Sequence, residues 1–163
     1  MMDHEHYGQA LAPLLRQAAG YARSILRNRQ QAQDAVQQAA LRGLEKLQTF
    51  DETRCFRSWW YSILHNCCID LLRSDMSARH VALDEVENDI PAAGEFGISD
   101  WQRLRDCMAQ LTADHSEILR LKYFAELSYR ELAEVLSIPQ GTVMSRLHLA
   151  RIALAAKMRE EEL

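Results

Sequence analysis

Apolar residues recur at three- and four-residue steps through almost the whole of the 163-residue chain, and one stretch interrupts them. Six glycines and three prolines are too few to punctuate a β-sandwich or barrel, whose strands need a turn signal at short, regular intervals. Helix formers fill the sequence instead, so the expected class is all-α: two small helical domains, the second containing a helix-turn-helix. The interruption falls at residues 75–100, where Pro91, Gly94 and Gly97 accompany a loss of periodicity. It is read as an acidic, flexible linker between domains at 1–74 and 101–163.

Charge is distributed unevenly about this linker. Residues 74–100 hold Arg79 alone against Asp75, Asp84, Glu85, Glu87, Asp89, Glu95 and Asp100, which accounts for more than the whole net charge of -4. The flanking domains are close to neutral. Release of counterions by basic side chains supplies most non-specific affinity for nucleic acid, so a chain this poorly charged should grip DNA weakly by itself. Cys55, Cys67, Cys68 and Cys107 show no C-x-x-C spacing. They suggest buried small hydrophobes in a reduced compartment, with neither metal nor cofactor. Met1 to Tyr7 carries Asp3 and Glu5 and lacks the apolar core of a signal peptide, and no run of about 18 apolar residues exists to enter a bilayer. A cytoplasmic protein without membrane insertion is expected.

In the first domain the spacing predicts helices over Tyr7–Asn28, Gln31–Leu47 and Phe56–Arg73. The second helix has an apolar stripe of Val36, Ala40, Leu44 and Leu47. Its other face presents Asp34, Gln37, Gln38, Arg42 and Glu45, either a solvated surface or one that docks a partner at low desolvation cost. The third helix starts in an aromatic cluster, Phe56, Trp59, Trp60 and Tyr61, with Arg54, Arg57 and Arg73 nearby. Its outward face collects Ser58, Tyr61, Ser62, His65, Asn66, Ile69 and Arg73. Aromatics beside arginines suit stacking of unpaired bases, worth about 1–3 kcal/mol per base; the other reading is that both tryptophans are core.

In the second domain Trp101, Leu104, Met108 and Leu111 mark one helix, and a second begins after the candidate N-cap Thr112. Ser128 and Glu131 then form an S-x-x-E capping box before Leu132, Ala133, Val135 and Leu136. A short break containing Pro139 leads into a helix with Val143, Leu147, Ala150 and Leu154 on one face. Helix, tight turn, helix is the pattern of a DNA-reading unit whose second helix enters the major groove by its N-terminal part. A step of about 100° per residue from Val143 points Ser145, His148, Leu149 and Ile152 outward. Gln140, Thr142 and Met144 flank the helix start, and Arg146 and Arg151 lie at its edges within reach of phosphates.

These pieces, in this order, resemble the extracytoplasmic-function (ECF) sigma factors, two-domain initiation subunits of bacterial RNA polymerase. D-A-V-Q-Q (Asp34 to Gln38) is similar to the family's D-x-V-Q-E. F-R-S-W-W-Y-S-I-L-H-N-C-C-I-D-L-L-R (Phe56 to Arg73) is similar to its F-x-x-W-L-Y-x-I-A-x-N-x-x-x-D-x-L-R. L-S-Y-R-E-L-A-E-V-L-S-I-P-Q-G-T-V-M-S-R-L-H-L-A-R (Leu127 to Arg151) is similar to its helix-turn-helix motif.

The resemblance implies that core RNA polymerase docks on Asp34, Gln37, Gln38, Leu41 and Arg42. It implies that Phe56, Arg57, Trp59, Trp60, Tyr61, His65, Asn66 and Arg73 contact the minus-ten element of promoter DNA, with the loop from Phe50 to Trp59 and Asn66 holding a flipped base. It implies further that Gln140, Thr142, Met144, Ser145, Arg146, His148, Leu149 and Arg151 read the minus-thirty-five element. The linker would thread near the RNA exit path. Met144 and Leu149 replace arginines common in the family, and Leu149 with Ile152 forms an apolar strip that suits an inhibitory anti-sigma factor. The alternative is a two-domain regulator binding duplex operators without polymerase. An enzyme is not expected, because His65, Cys67 and Cys68 fall on different helix faces and no acid orients the histidine.

Overall fold

The computed structural model describes residues 1–26, 28–78 and 98–162. Among them every regular element is helical. The first domain holds α1 (His4–Leu11), a 3-10 turn (Ala12–Leu14), α2 (Leu15–Ile25), α3 (Arg29–Glu45), a second 3-10 turn (Leu47–Thr49) and α4 (Phe56–Ala78). The second holds α5 (Ile98–Ala109), α6 (Ala113–Tyr123), α7 (Tyr129–Leu136) and α8 (Gln140–Glu160). No helix among the described residues is long and apolar enough to cross a membrane.

Side-chain caps set four of the helix starts. Asp3 accepts from the His6 amide (2.9 Å), Asn28 from that of Gln31 (3.1 Å) and Thr112 from that of His115 (3.3 Å). The capping box closes in both directions: the Glu131 amide donates to Ser128 Oγ (3.2 Å), and the Ser128 amide donates to Glu131 Oε2 (2.8 Å). Ser128→Ala therefore costs about 1 kcal/mol of stability, measurable by denaturant unfolding; an unchanged midpoint would contradict the cap's role. Between α7 and α8, Ser137 takes a left-handed φ of 54° and Pro139 caps the next helix.

The single helix expected over residues 7–28 is two helices. Pro13 lacks an amide proton and its ring would strike the carbonyl four residues back, so α1 stops at Leu11 and a 3-10 turn absorbs the change. The stripe that α3 buries also differs. Ala32, Ala35, Ala39 and Gly43 are fully buried, while Val36, Ala40 and Leu44 pack at the margins. Small residues let α3 lie close against α4, where Trp60, Leu64, Cys67 and Cys68 fill the space. A Cβ on Gly43 would sit on the Tyr7 hydroxyl and 3.2 Å from Trp60 Cδ1, so only glycine fits there. Tyr7 is fixed by its own bond to the Ala40 carbonyl (2.7 Å).

Helices α4 and α5 reach into the residues assigned above to the linker, to Ala78 and from Ile98. The remaining acidic stretch, 79–97, lies outside the described residues. The core is one connected cluster drawn from both domains, running from Tyr21, Trp60 and Leu64 to Ile118, Leu127, Leu132, Val143 and Leu147.

Three cysteines are interior. Burial pushes the Cys68 thiol up to about 12 and raises Cys67 and Cys107 above their ordinary values. Cys55 is half-buried. Because the thiolate is the reactive form, an aromatic disulfide reagent at neutral pH modifies Cys55 alone in the native protein and all four thiols after denaturation. Rapid native modification of two or more would contradict this packing.

Candidate nucleic-acid interface

The outer face of α3 carries Gln37, Gln38 and Leu41 in the open, with Asp34 and Arg42 half-buried beside them. Leu41 is 62% exposed, whereas the other large aliphatic residues of the helix, Val36 and Leu44, pack against the core. Asp34 accepts from Gln30 (3.1 Å), and Arg42 Nη1 is held 3.2 Å from Asp70 Oδ2 of α4. All five residues predicted to dock a partner thus share one surface.

The aromatic cluster at the start of α4 divides. Phe50, Phe56 and Trp59 pack on one another near the surface, with ring centroids 4.7 Å apart for Phe50–Trp59 and 5.8 Å for Phe50–Phe56. Phe50 and Phe56 border a hollow of about 400 Å³ whose lining includes His6, Glu52 and Arg54. Trp60 and Tyr61, by contrast, are 0% exposed. Trp60 fills the gap over Gly43, and Tyr61 makes edge contacts with Tyr21 and Trp60 at 5.7 Å. Neither can stack on a base in this conformation, a correction to the sequence reading. Both rings are large enough that interior packing outweighs any surface role.

Asn66 is exposed at the mouth of a second hollow, about 460 Å³, shared with Arg42, Lys46, His65, Asp70 and Arg73. Two more predicted contacts, Arg57 and His65, lie at this end of α4 but are already engaged by the second domain. Arg57 Nη2 donates to the carbonyls of Ala125 (2.6 Å) and Glu126 (3.2 Å) and to Gln17 Oε1 (3.2 Å). Its Nη1 lies 3.5 Å from Glu131 Oε2. His65 Nε2 is 2.8 Å from Glu117 Oε1, and Tyr21 Oη is 2.9 Å from His65 Nδ1. A carboxylate only accepts, so Nε2 carries a proton, and in the neutral tautomer that this fixes Nδ1 accepts from Tyr21. Burial raises the Tyr21 phenol well above its ordinary value, which keeps that donor protonated.

Ser58 donates to Glu134 and Cys55 Sγ sits 3.6 Å from Glu131 Oε1. Gln17 likewise donates to Glu126 (2.7 Å), and in the other direction Arg120 Nε donates to the Ser24 carbonyl (3.1 Å). Sequence reasoning missed Gln17, Glu117, Glu126 and Glu134 entirely and took Glu131 for a cap alone. Their one local signal is the run of acids at 126, 131 and 134 beside α7.

On α8 the outward direction is as expected. Gln140, Met144, Ser145, His148, Leu149 and Arg151 are exposed and Thr142 and Arg146 half-buried, while Val143, Leu147 and Ala150 are buried. Arg151 Nε donates to Tyr123 Oη (2.7 Å), and Arg146 reaches Asp114 at 4.0 Å, so each basic edge residue is positioned by a neighbouring helix. Met144, Leu149 and Ile152 are each more than half exposed.

Two family descriptions fit this architecture domain by domain: Sigma-70 region 2 matches residues 11–78, and Sigma-70 region 4 matches residues 101–154. The ECF RNA polymerase sigma factor SigL of Mycobacterium tuberculosis is 30% identical over 145 residues, 86% of this chain and 81% of that protein. The chain belongs to the ECF sigma factors. RNA polymerase sigma factor YlaC of Bacillus subtilis is similar too, 31% identical over 140 residues, 80% of this chain and 81% of its own length. Among solved structures, CnrH in complex with the cytosolic domain of CnrY superposes with a TM-score of 0.75 at 25% identity, covering 97% of this chain and 90% of CnrH. The sigma factor RpoE of Bartonella quintana, solved with the anti-sigma factor NepR, shares the fold with a TM-score of 0.77 at 23% identity, covering 95% of this chain and 98% of RpoE. Sigma factors are non-enzymatic regulators of transcription initiation, and the match of both domains to them sets the operator-binding regulator aside.

Proposed function

We propose that this sigma factor docks core RNA polymerase on the α3 face around Leu41, brings it to promoters in the cytoplasm, and steadies the strand that the polymerase separates. The observation that carries the reading is the accessibility of two surfaces at once, the Gln37–Gln38–Leu41 face of α3 and the Gln140–His148 face of α8. One suits a protein partner and the other a major groove. The Phe50–Phe56 hollow and the Asn66 hollow are the candidate places for an extruded minus-ten base, with Phe56, Trp59, Asn66 and Arg73 around them.

Readout on α8 has few charged contacts. Gln140 and His148 offer hydrogen bonds to base edges, and Met144 and Leu149 offer methyl contacts to thymine, with Ser145 beside them. A good base contact is worth about 1–3 kcal/mol, so Gln140→Ala combined with His148→Ala lowers promoter use at least about tenfold. In-vitro transcription with core polymerase, followed by start-site mapping, tests the whole reading. Discrete starts that depend on this protein support it; none on any template would refute it.

The complex of RpoE with the anti-sigma factor NepR makes an anti-sigma partner the natural inhibitor to propose here as well, seated on the strip of Met144, Leu149 and Ile152. A Leu149→Arg, Ile152→Glu variant then escapes inhibition, and wild-type inhibition of that variant would place the inhibitor elsewhere.

A further inference from the structure

The face of α4 expected to meet DNA, Ser58, Tyr61 and His65 with Arg57 beside it, is the face the second domain covers. Arg57, Ser58 and His65 are each met by an acceptor from α6, α7 or the segment between them, while the Tyr61 hydroxyl has no partner. Glu131 and two backbone carbonyls take Arg57, Glu134 takes Ser58, and Glu117 takes His65. Carboxylates and carbonyl oxygens are the chemistry a DNA backbone would offer the same donors. Tyr61 is closed off among them, its phenol pushed above its ordinary value by burial, with Glu126 and Glu131 close enough to add to the rise.

We infer that the second domain acts as an internal mimic of the DNA backbone, its Glu117, Glu131 and Glu134 occupying the strand-binding face of α4 until the two domains are drawn apart. This rests on the reading of α4 as the strand-capturing helix. It goes beyond that reading by giving the free protein an inhibitor within its own chain.

Two observations favour a contact that opens over a permanent one. The Tyr61 hydroxyl is shut in at this contact with no hydrogen-bond partner, although apolar side chains of both domains pack in one core around it. Arg57 Nε is buried there without an acceptor as well, so the closed form leaves two donors unmade. Opening returns Arg57, Ser58 and His65 to solvent or to DNA. The three glutamates then lose their partners on α4, while Glu131 keeps its capping box with Ser128 and Glu134 its ion pair with Arg130.

The test compares the full-length wild type with a Glu117→Gln, Glu131→Gln, Glu134→Gln variant. Gln at position 131 keeps the S-x-x-E/Q capping box. The probe is fluorescein-labelled single-stranded DNA of randomised sequence, read by anisotropy, with the radius of gyration followed by small-angle scattering. If the wild type is closed in about nine molecules of ten, removing the clasp tightens apparent DNA affinity about tenfold. The radius of gyration rises with it. Glu134→Gln alone shifts both readouts the same way by a smaller factor, and it serves if the triple variant does not fold.

Unchanged affinity overturns the inference, whether or not the chain expands. Asn66→Ala, at a position the second domain leaves open, separates the two ways of failing. If it lowers polymerase-dependent transcription, the reading of α4 stands and only the mimic falls. If it has no effect, the reading of α4 has failed first.

Discussion

Leu41→Asp lowers transcription at limiting sigma factor at least about thirtyfold, because a buried central anchor in a docking surface is worth about 2 kcal/mol or more and an unpaired carboxylate would be driven into the same place. Leu41 is 62% exposed and supports nothing in the core of the free protein, so the variant unfolds at the wild-type temperature. Its defect is therefore one of assembly: saturating protein restores part of the signal, and co-purification with core polymerase is lost. Gln37 and Gln38, the neutral neighbours on the same face, give smaller losses when changed to Ala. An undiminished Leu41→Asp variant would move the docking surface off α3.

The second large effect is on stability. Trp60→Ala costs about 3–5 kcal/mol, the range for removing a large buried aromatic side chain, and Trp60 is 0% exposed. In a chain of this size that corresponds to a fall in unfolding temperature of about 6–20 °C. Gly43→Ala is the complementary change, adding one methyl where the Tyr7 hydroxyl and the Trp60 ring already meet, and overpacking of this kind costs about 1–3 kcal/mol. Trp59→Ala behaves differently. Trp59 lies half-buried beside Phe50 and Phe56, so its loss weakens promoter opening more than it weakens the fold. If Trp60→Ala left stability unchanged and abolished only promoter opening, the division of the two tryptophans drawn here would be reversed.

That division shows how far the sequence can be read. Capping at Thr112 and Ser128, the Pro139 turn and the outward set on α8 depend on residues within a few positions of each other, and local patterns report them faithfully. The choice between Trp59 and Trp60 depends on which side of α4 meets α3, and that was decided by Gly43 and the alanines at 32, 35 and 39, small residues that a search for large apolar stripes passes over. Pro13 was legible in principle, but the apolar spacing on either side of it carried the pattern through. Contacts such as Arg57–Glu131 and His65–Glu117 join residues more than fifty positions apart, and no local periodicity encodes them. The covered face of α4 was accordingly expected to be open.

Whether this protein opens a promoter by itself turns on an energy balance. Unstacking costs about 1.4 kcal/mol per base-pair step, so a bubble of roughly ten pairs costs on the order of 14 kcal/mol. Two captured bases return about 2–6 kcal/mol, and a chain with net charge -4 gains little from counterion release. In the closed arrangement Arg57 and His65 are also engaged by the second domain. The direct measurement is permanganate reactivity of thymines across a promoter located by start-site mapping, with this protein alone, with core polymerase alone, and with both. The account predicts unpaired thymines only when both are present. Opening by the isolated chain, or tight promoter binding by it at physiological salt, would contradict it.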